Sequence, residues 1–122
     1  MSRVMVVDAA NVVGTRPDGW WKDRAGAARR LHEALAVGET SADVVVLVLE
    51  GAAKAGVPAG RDAHLVTVHA PRDGDSAITA EASKAVARGD TVTVITADRL
   101  LQAAVQAVGA ATMSPSWLLD QL

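Results

Sequence analysis

The chain has 122 residues, half of them hydrophobic, a formal net charge of −2, three Trp, and no Cys, Phe or Tyr. That length fits one domain with one sizeable core and excludes two independent folds. The absence of cysteine excludes a disulfide framework, a thiolate metal site and a thiol nucleophile, and the mild acidity excludes a global nucleic-acid footprint, so any polyanion must be held by a local basic patch, by metal, or by both.

The first strand is expected over residues 3–7, where the apolar run of Val4, Met5, Val6 and Val7 is broken by Asp8. With only Arg3 before it, this run is too short for a signal peptide or a membrane span, and cytoplasmic residence is the resulting expectation. A polar loop over 15–24 follows, and then a helix whose apolar face is Ala28, Leu31 and Leu35, with Gly38 near its end. Residues 43–50 form a continuous apolar run flanked by Asp43 and Glu50, which reads as a central strand buried on both faces of a parallel sheet. Residues 51–62 have loop composition and take the place of a full crossover helix. Strands are then expected over 64–68, 91–96 and 110–113. Between them lie two helical patterns: Ile78, Ala82, Ala85 and Val86, then Leu101, Ala104, Val105 and Val108. Gly89 and Gly109 stand near their ends. The β-α-β alternation predicts a single α/β domain over 1–122, with no repeat or linker marking a second one.

In a parallel sheet the carboxyl ends of the strands share one edge, and ligand sites lie in the crevice there. Asp8 ends the first strand, Asp98 follows the fourth, Asp75 opens the helix that feeds the fourth, and Glu50 ends the second. Gathered carboxylates repel one another, and a divalent cation between them removes that cost. Each acid also has a plainer reading: Asp75 as an N-cap, Asp98 as a helix-initiating acid, Glu50 as a solvated strand end. Asn11, in the turn after Asp8, can take left-handed geometry and hydrogen-bond a neighbouring carboxylate. Asp18, Asp43, Asp62, Asp73, Asp90 and Asp120 sit at turns or boundaries and read as solvated, with Asp73 nearest the site in sequence. His32, His64 and His69 have no partner motif and read as structural. The loop after the first acid mixes Arg16, Lys22 and Arg24 with Trp20 and Trp21, a combination suited to single-stranded nucleic acid: cations for phosphates, an indole face for an unpaired base. The plainer reading packs one indole under the next helix and the other over the sheet edge. Arg99, beside Asp98, either steers phosphate or pairs with an acid.

The stretches Val6-Val7-Asp8-Ala9-Ala10-Asn11-Val12-Val13-Gly14, Gly74-Asp75-Ser76-Ala77-Ile78 and Val94-Ile95-Thr96-Ala97-Asp98-Arg99 together resemble the three motifs of the NYN or YacP-like branch of PIN-like ribonucleases. The resemblance runs over essentially the whole chain. It implies a three-layer α/β/α domain with a five-strand parallel sheet of order 3-2-1-4-5, an acidic pocket for Mg²⁺ or Mn²⁺, and cleavage of RNA. By position it makes Asp8, Asp75 and Asp98 the catalytic, metal-binding acids, with Glu50 as a further ligand, Asn11 ordering the first loop and Thr96 lining the site. The chain departs from the pattern at Leu100, Ser76 and Glu50, where relatives often carry Asp or another acid; a thinner acidic set implies one tightly held ion.

Three function classes follow. The first is a metal-dependent ribonuclease acting on single-stranded RNA, with no membrane partner and with a homodimer or a regulatory protein as further partners. The second is a catalytically reduced PIN-like module that binds RNA or protein. The third is a phosphoryl-accepting doubly wound domain; it ranks last because Ala10 stands where a phosphohydrolase needs a second Asp, and no receiver-type acidic pair or Lys is present.

Overall fold

Strands whose every residue is apolar must be covered on both faces, and this requirement sets the architecture. The computed structural model describes residues 1–122. In chain order it comprises β1 (Arg3–Asp8), α1 (Ala9–Val13), a 3-10 turn (Trp20–Lys22), α2 (Arg24–Val37), β2 (Val44–Leu49), a 3-10 helix (Gly51–Gly56), β3 (Gly60–Asp62), β4 (Leu65–His69), α3 (Gly74–Ala87), β5 (Thr91–Ile95), α4 (Arg99–Ala107), β6 (Ala111–Met113) and α5 (Pro115–Leu119). No helix is long and apolar enough to cross a membrane.

One sheet, ordered β3-β4-β2-β1-β5-β6, runs through the molecule. Alternate side chains of each strand feed separate cores. Met5 and Val7 of β1 join Val45, Leu47 and Leu49 of β2 on the face covered by Val12 of α1, Leu31 and Leu35 of α2 and Leu118 of α5. Val4, Val6, Val46 and Val48 point the other way, onto Ile78, Ala82 and Ala85 of α3 and Leu101 and Val105 of α4. Neither core buries an aromatic ring, although the half-buried Trp117 packs against the first; β-branched side chains pack well on a pleated sheet and Ala lets the helices approach closely. Ala104, expected on the buried face of α4, is exposed.

The sheet has six strands, not the five expected. The added strand, β3, lies in the segment read as loop and pairs antiparallel with β4 through Arg61↔Val66 and Asp62↔Leu65. Its three residues are all exposed, so no apolar pattern announces it. The two-residue turn that makes it is also hidden: Ala63 takes φ 53, a left-handed conformation usually given to Gly or Asn, and its carbonyl accepts from Arg61 Nε at 2.9 Å. The other five strands are mutually parallel in the order β4-β2-β1-β5-β6. Residues 51–56 form a 3-10 helix rather than open loop, and it lies so close to α2 that a Cβ at Gly56 would collide with the carbonyl of Ala25.

Leu47 lies at the centre of the sheet, fully buried. Leu47→Ala is expected to cost about 2–5 kcal/mol in chemical denaturation, against a change within about 0.5 kcal/mol for Val37→Ala on the exposed end of α2.

Candidate functional site

Parallel pairing puts the ends of β1, β2 and β5 side by side: Asp8 lies opposite Val48, and Val7 opposite Ile95. Asp8 is therefore carried into the sheet edge by the register, and only 6% of its surface is exposed. A carboxylate there must find donors in the protein. Thr96, fully buried, donates its hydroxyl to Asp8 Oδ2 at 2.9 Å, and the backbone N–H of Asn11 donates to Asp8 Oδ1 at 3.3 Å. The same Thr96 Oγ1 accepts from the N–H of Asp98 at 3.1 Å, while Asn11 Oδ1 accepts from the N–H of Ala97 at 2.8 Å. Two side chains thus tie the end of β1 to the chain leaving β5. Gln102, one turn into α4, donates from Nε2 to the Thr96 carbonyl at 2.9 Å. Nothing in the sequence reading singled out Gln102; its place four residues after the helix-opening Asp98 was the available signal.

Asp98 caps α4, its Oδ1 accepting from the N–H groups of Leu100 and Leu101 at 2.9 and 3.1 Å. Its plainer reading is thus satisfied by one oxygen, and the other takes no part in the cap. Asp75 differs from the cap reading. The N-cap of α3 is Asp73, whose carboxylate accepts from Ser76 N–H at 2.9 Å and is held below the usual carboxylate range by that bond. Asp75 stands in the first turn with no hydrogen bond among the influences on its carboxyl. Glu50 reaches across to α3, accepting from Gly74 N–H at 3.0 Å; the approach depends on glycine, since a Cβ at Gly74 would lie 2.8 Å from Glu50 Oε1.

Two of these acids, Asp8 and Asp75, are shifted by their surroundings. Burial pushes the Asp8 carboxyl up, against the bonds from Thr96 and Asn11, and the charges of Asp75 and Glu50 push it further. Asp75 is also raised: it is exposed at the surface, but crowding by neighbouring elements strips solvent from it, and Asp98, Glu50 and Asp73 add like charge. The four ion pairs of the molecule, Arg3–Asp43, Arg30–Asp18, Lys84–Glu81 and Arg88–Asp90, all lie elsewhere, so no basic side chain neutralises this group. Even so, no three of the carboxylates converge closely enough to ligate a common ion as they stand. The expected ligand set is assembled around one edge without being closed onto one point.

The expected nucleic-acid contacts divide. Trp20 and Arg24 line a cleft of about 470 Å³ beside Glu50. Trp21 is 54% exposed and meets Trp20 edge-on, with centroids 5.9 Å apart at 89°. Lys22 and Arg99 are exposed. Arg16 faces away from the cleft, into a separate crevice with Asp18, Arg30 and Leu122. His64 and His69 are structural, their Nε2 atoms hydrogen-bonded to the carbonyls of Leu35 at 3.0 Å and Val57 at 2.7 Å.

No family model matches the chain, and no curated protein matches it in sequence. Among solved structures it is similar to a variant of Rae1 (YacP) from Bacillus subtilis, at 18% identity and a TM-score of 0.66, over 97% of this chain and 73% of that one. Identity that low shows a shared fold: a central sheet flanked by helices.

Crowding has a consequence for stability. Because Asp8 and Asp75 bind protons more tightly folded than their ordinary value of 3.8, the stability linked to them is full at low pH and is lost as pH rises through the raised values. Asp73 and Asp90 are shifted the opposite way, so wild type alone mixes both signs. Asp75→Asn removes one raised group and relieves another. Without divalent ions it is expected to melt higher than wild type near pH 7, with the difference shrinking toward about pH 4; a constant difference across thermal melts in that range contradicts the linkage.

Proposed function

We propose that residues 1–122 form a PIN-like nuclease domain that hydrolyses phosphodiester bonds of single-stranded RNA with Mg²⁺ or Mn²⁺ at the carboxyl edge of its sheet. One observation carries this reading: at that edge the Asp8 and Asp75 carboxyls are both raised, by burial first and then by like charge, from Asp75 and Glu50 on Asp8 and from Asp98 and Glu50 on Asp75, and no ion pair of the molecule reaches these acids. The fold shared with Rae1 (YacP), and the resemblance of the three motifs to the YacP-like branch, agree with it. Hard carboxylate oxygens suit Mg²⁺ and Mn²⁺, and Asp8, Asp75 and Asp98 would hold the ion with Glu50 on the flank. When bound, such an ion supplies a water of lowered pKa and neutralises charge on the phosphoryl oxygens.

The chain's own contribution is positioning. Thr96 and Asn11 each donate to one oxygen of the Asp8 carboxylate, and capping of α4 holds Asp98 through Oδ1, with Oδ2 outside the cap. Asp75, without hydrogen bonds, has the freedom to turn toward them. Trp20, Trp21, Lys22, Arg24 and Arg99 would supply the stacking and phosphate contacts, and cytoplasmic residence suits such a substrate. A second reading, a binding module with reduced catalysis, is favoured by the failure of three acids to converge and by Leu100, 85% exposed where an acid is common among relatives.

Cleavage of unstructured RNA with Mn²⁺ separates the two. Asp8→Asn, Asp75→Asn and Asp98→Asn are each expected to lower the rate more than the ~10–100-fold typical of losing an outer-shell partner, the range expected for Thr96→Val. Mn²⁺ at about a hundredfold excess over its dissociation constant should stabilise the folded chain by about 2.7 kcal/mol, and Asp75→Asn should lose most of that gain. RNA binding without cleavage, with a melting temperature indifferent to Mn²⁺, establishes the second reading.

A further inference from the structure

The cleft beside the acids has chemistry of its own. Its walls are α1, the turn at Trp20, α2 and the 3-10 helix after β2, and its lining is small and apolar except for Trp20, Arg24 and Glu50. Small residues are what leave it open: Ala9 and Ala10 on one side, Ala52 and Ala53 on the other. At about 470 Å³ it falls within the range of roughly 300–1,000 Å³ typical of sites for small organic groups. The Arg24 guanidinium lies over the Trp20 ring, 4.9 Å from its centroid, so a cation and an indole are presented together, and Trp21 braces Trp20 edge-on. Glu50 is held in place through Gly74 N–H and pairs with no basic side chain.

An indole with a guanidinium over one face, and at the rim a glutamate whose carboxylate is fixed by Gly74 N–H, suit a flat, hydrogen-bond-donating occupant. Of the four acids only Glu50 lines the cleft, and Ala9, the residue after Asp8, lines it too, so the cleft abuts the acidic edge. We propose that this cleft seats one unpaired base of the RNA strand next to the phosphodiester at the acids, with Trp20 as its stacking surface and Glu50 as its selector. The identity of the strand rests on the ribonuclease reading. An ionised carboxylate only accepts hydrogen bonds. Guanine offers it adjacent imino and amino donors, whereas uracil offers one N–H flanked by two carbonyl oxygens that repel it. The cleft therefore favours guanine and disfavours uracil.

The test uses the full chain in EDTA, so that binding is read without cleavage, with a labelled hexauridylate and the same hexamer carrying one central guanosine. Fluorescence anisotropy is expected to show about tenfold tighter binding of the guanosine oligonucleotide. Trp20→Ala should weaken that binding by about tenfold, Trp20→Phe should retain most of it, and Glu50→Gln should erase most of the preference with little effect on hexauridylate. Ala52→Leu, on an exposed residue at the mouth, should block the cleft without touching either core, and it stands in if Trp20→Ala fails to fold. Equal affinity for the two oligonucleotides, or unchanged binding in a folded Trp20→Ala or Ala52→Leu variant, overturns the inference. A chain that cleaves RNA but shows no preference loses the cleft and keeps the nuclease; one that prefers guanosine but never cleaves keeps the cleft and loses the nuclease.

Discussion

A carboxylate buried at the end of the central strand is the constraint around which this molecule is arranged. The register of β1 against β2 and β5 gives Asp8 nowhere to go but inward, and an unsatisfied charge there would cost several kcal/mol. Thr96 meets it with a hydroxyl, and Thr96 is in turn held through its carbonyl by Gln102 and through its oxygen by Asp98 N–H. Asn11, in α1, closes the circuit by accepting from Ala97 N–H. No buried side-chain polar atom in the molecule is left without a partner, and what pushes the Asp8 carboxyl up is burial first and the like charges of Asp75 and Glu50 after it.

The two cores make that edge possible. With apolar side chains on both faces of β1, β2 and β5, the sheet is fixed from above and below, and only the strand ends remain for polar chemistry. The β2 to β4 connection uses a short 3-10 helix packed tightly against α2 rather than a longer α-helix. A longer helix with larger side chains would fill the space now bounded by Ala52, Ala53 and Trp20. The cleft is thus a product of an economical crossover, and it opens toward Glu50 because that residue is the last before the 3-10 helix begins.

Local rules also explain how the acids differ. Asp73 and Asp98 are both N-caps, each spending an oxygen on helix N–H groups, and Asp75, two residues beyond a cap, is left to face its neighbours. Asp73 caps α3 through its carboxylate, and a second acid at 75, in the first turn, has no hydrogen bond among the influences on its carboxyl.

Much of this was legible from the residues alone. Unbroken apolar runs at Val4–Val7 and Val44–Leu49 require a sheet covered on both faces, the spacing of Leu31, Leu35, Ile78, Ala82, Leu101 and Val105 requires helices to cover it, and parallel winding brings Asp8, Glu50 and Asp98 to a common edge. Those features are set by side-chain periodicity, which the sequence displays directly. The strand β3 was not legible, because three exposed residues joined through an Ala in left-handed geometry carry neither pattern nor turn signature. Nor was the division among the basic and aromatic residues of the loop, since the direction in which Trp20 turns and Arg16 does not depends on what α2 and the 3-10 helix leave vacant. Spacing along the chain determined which acids approach the edge; how near they come was left to tertiary packing, which brings Glu50 onto the start of α3 through a glycine with no room for a side chain and leaves no three acids at a common point.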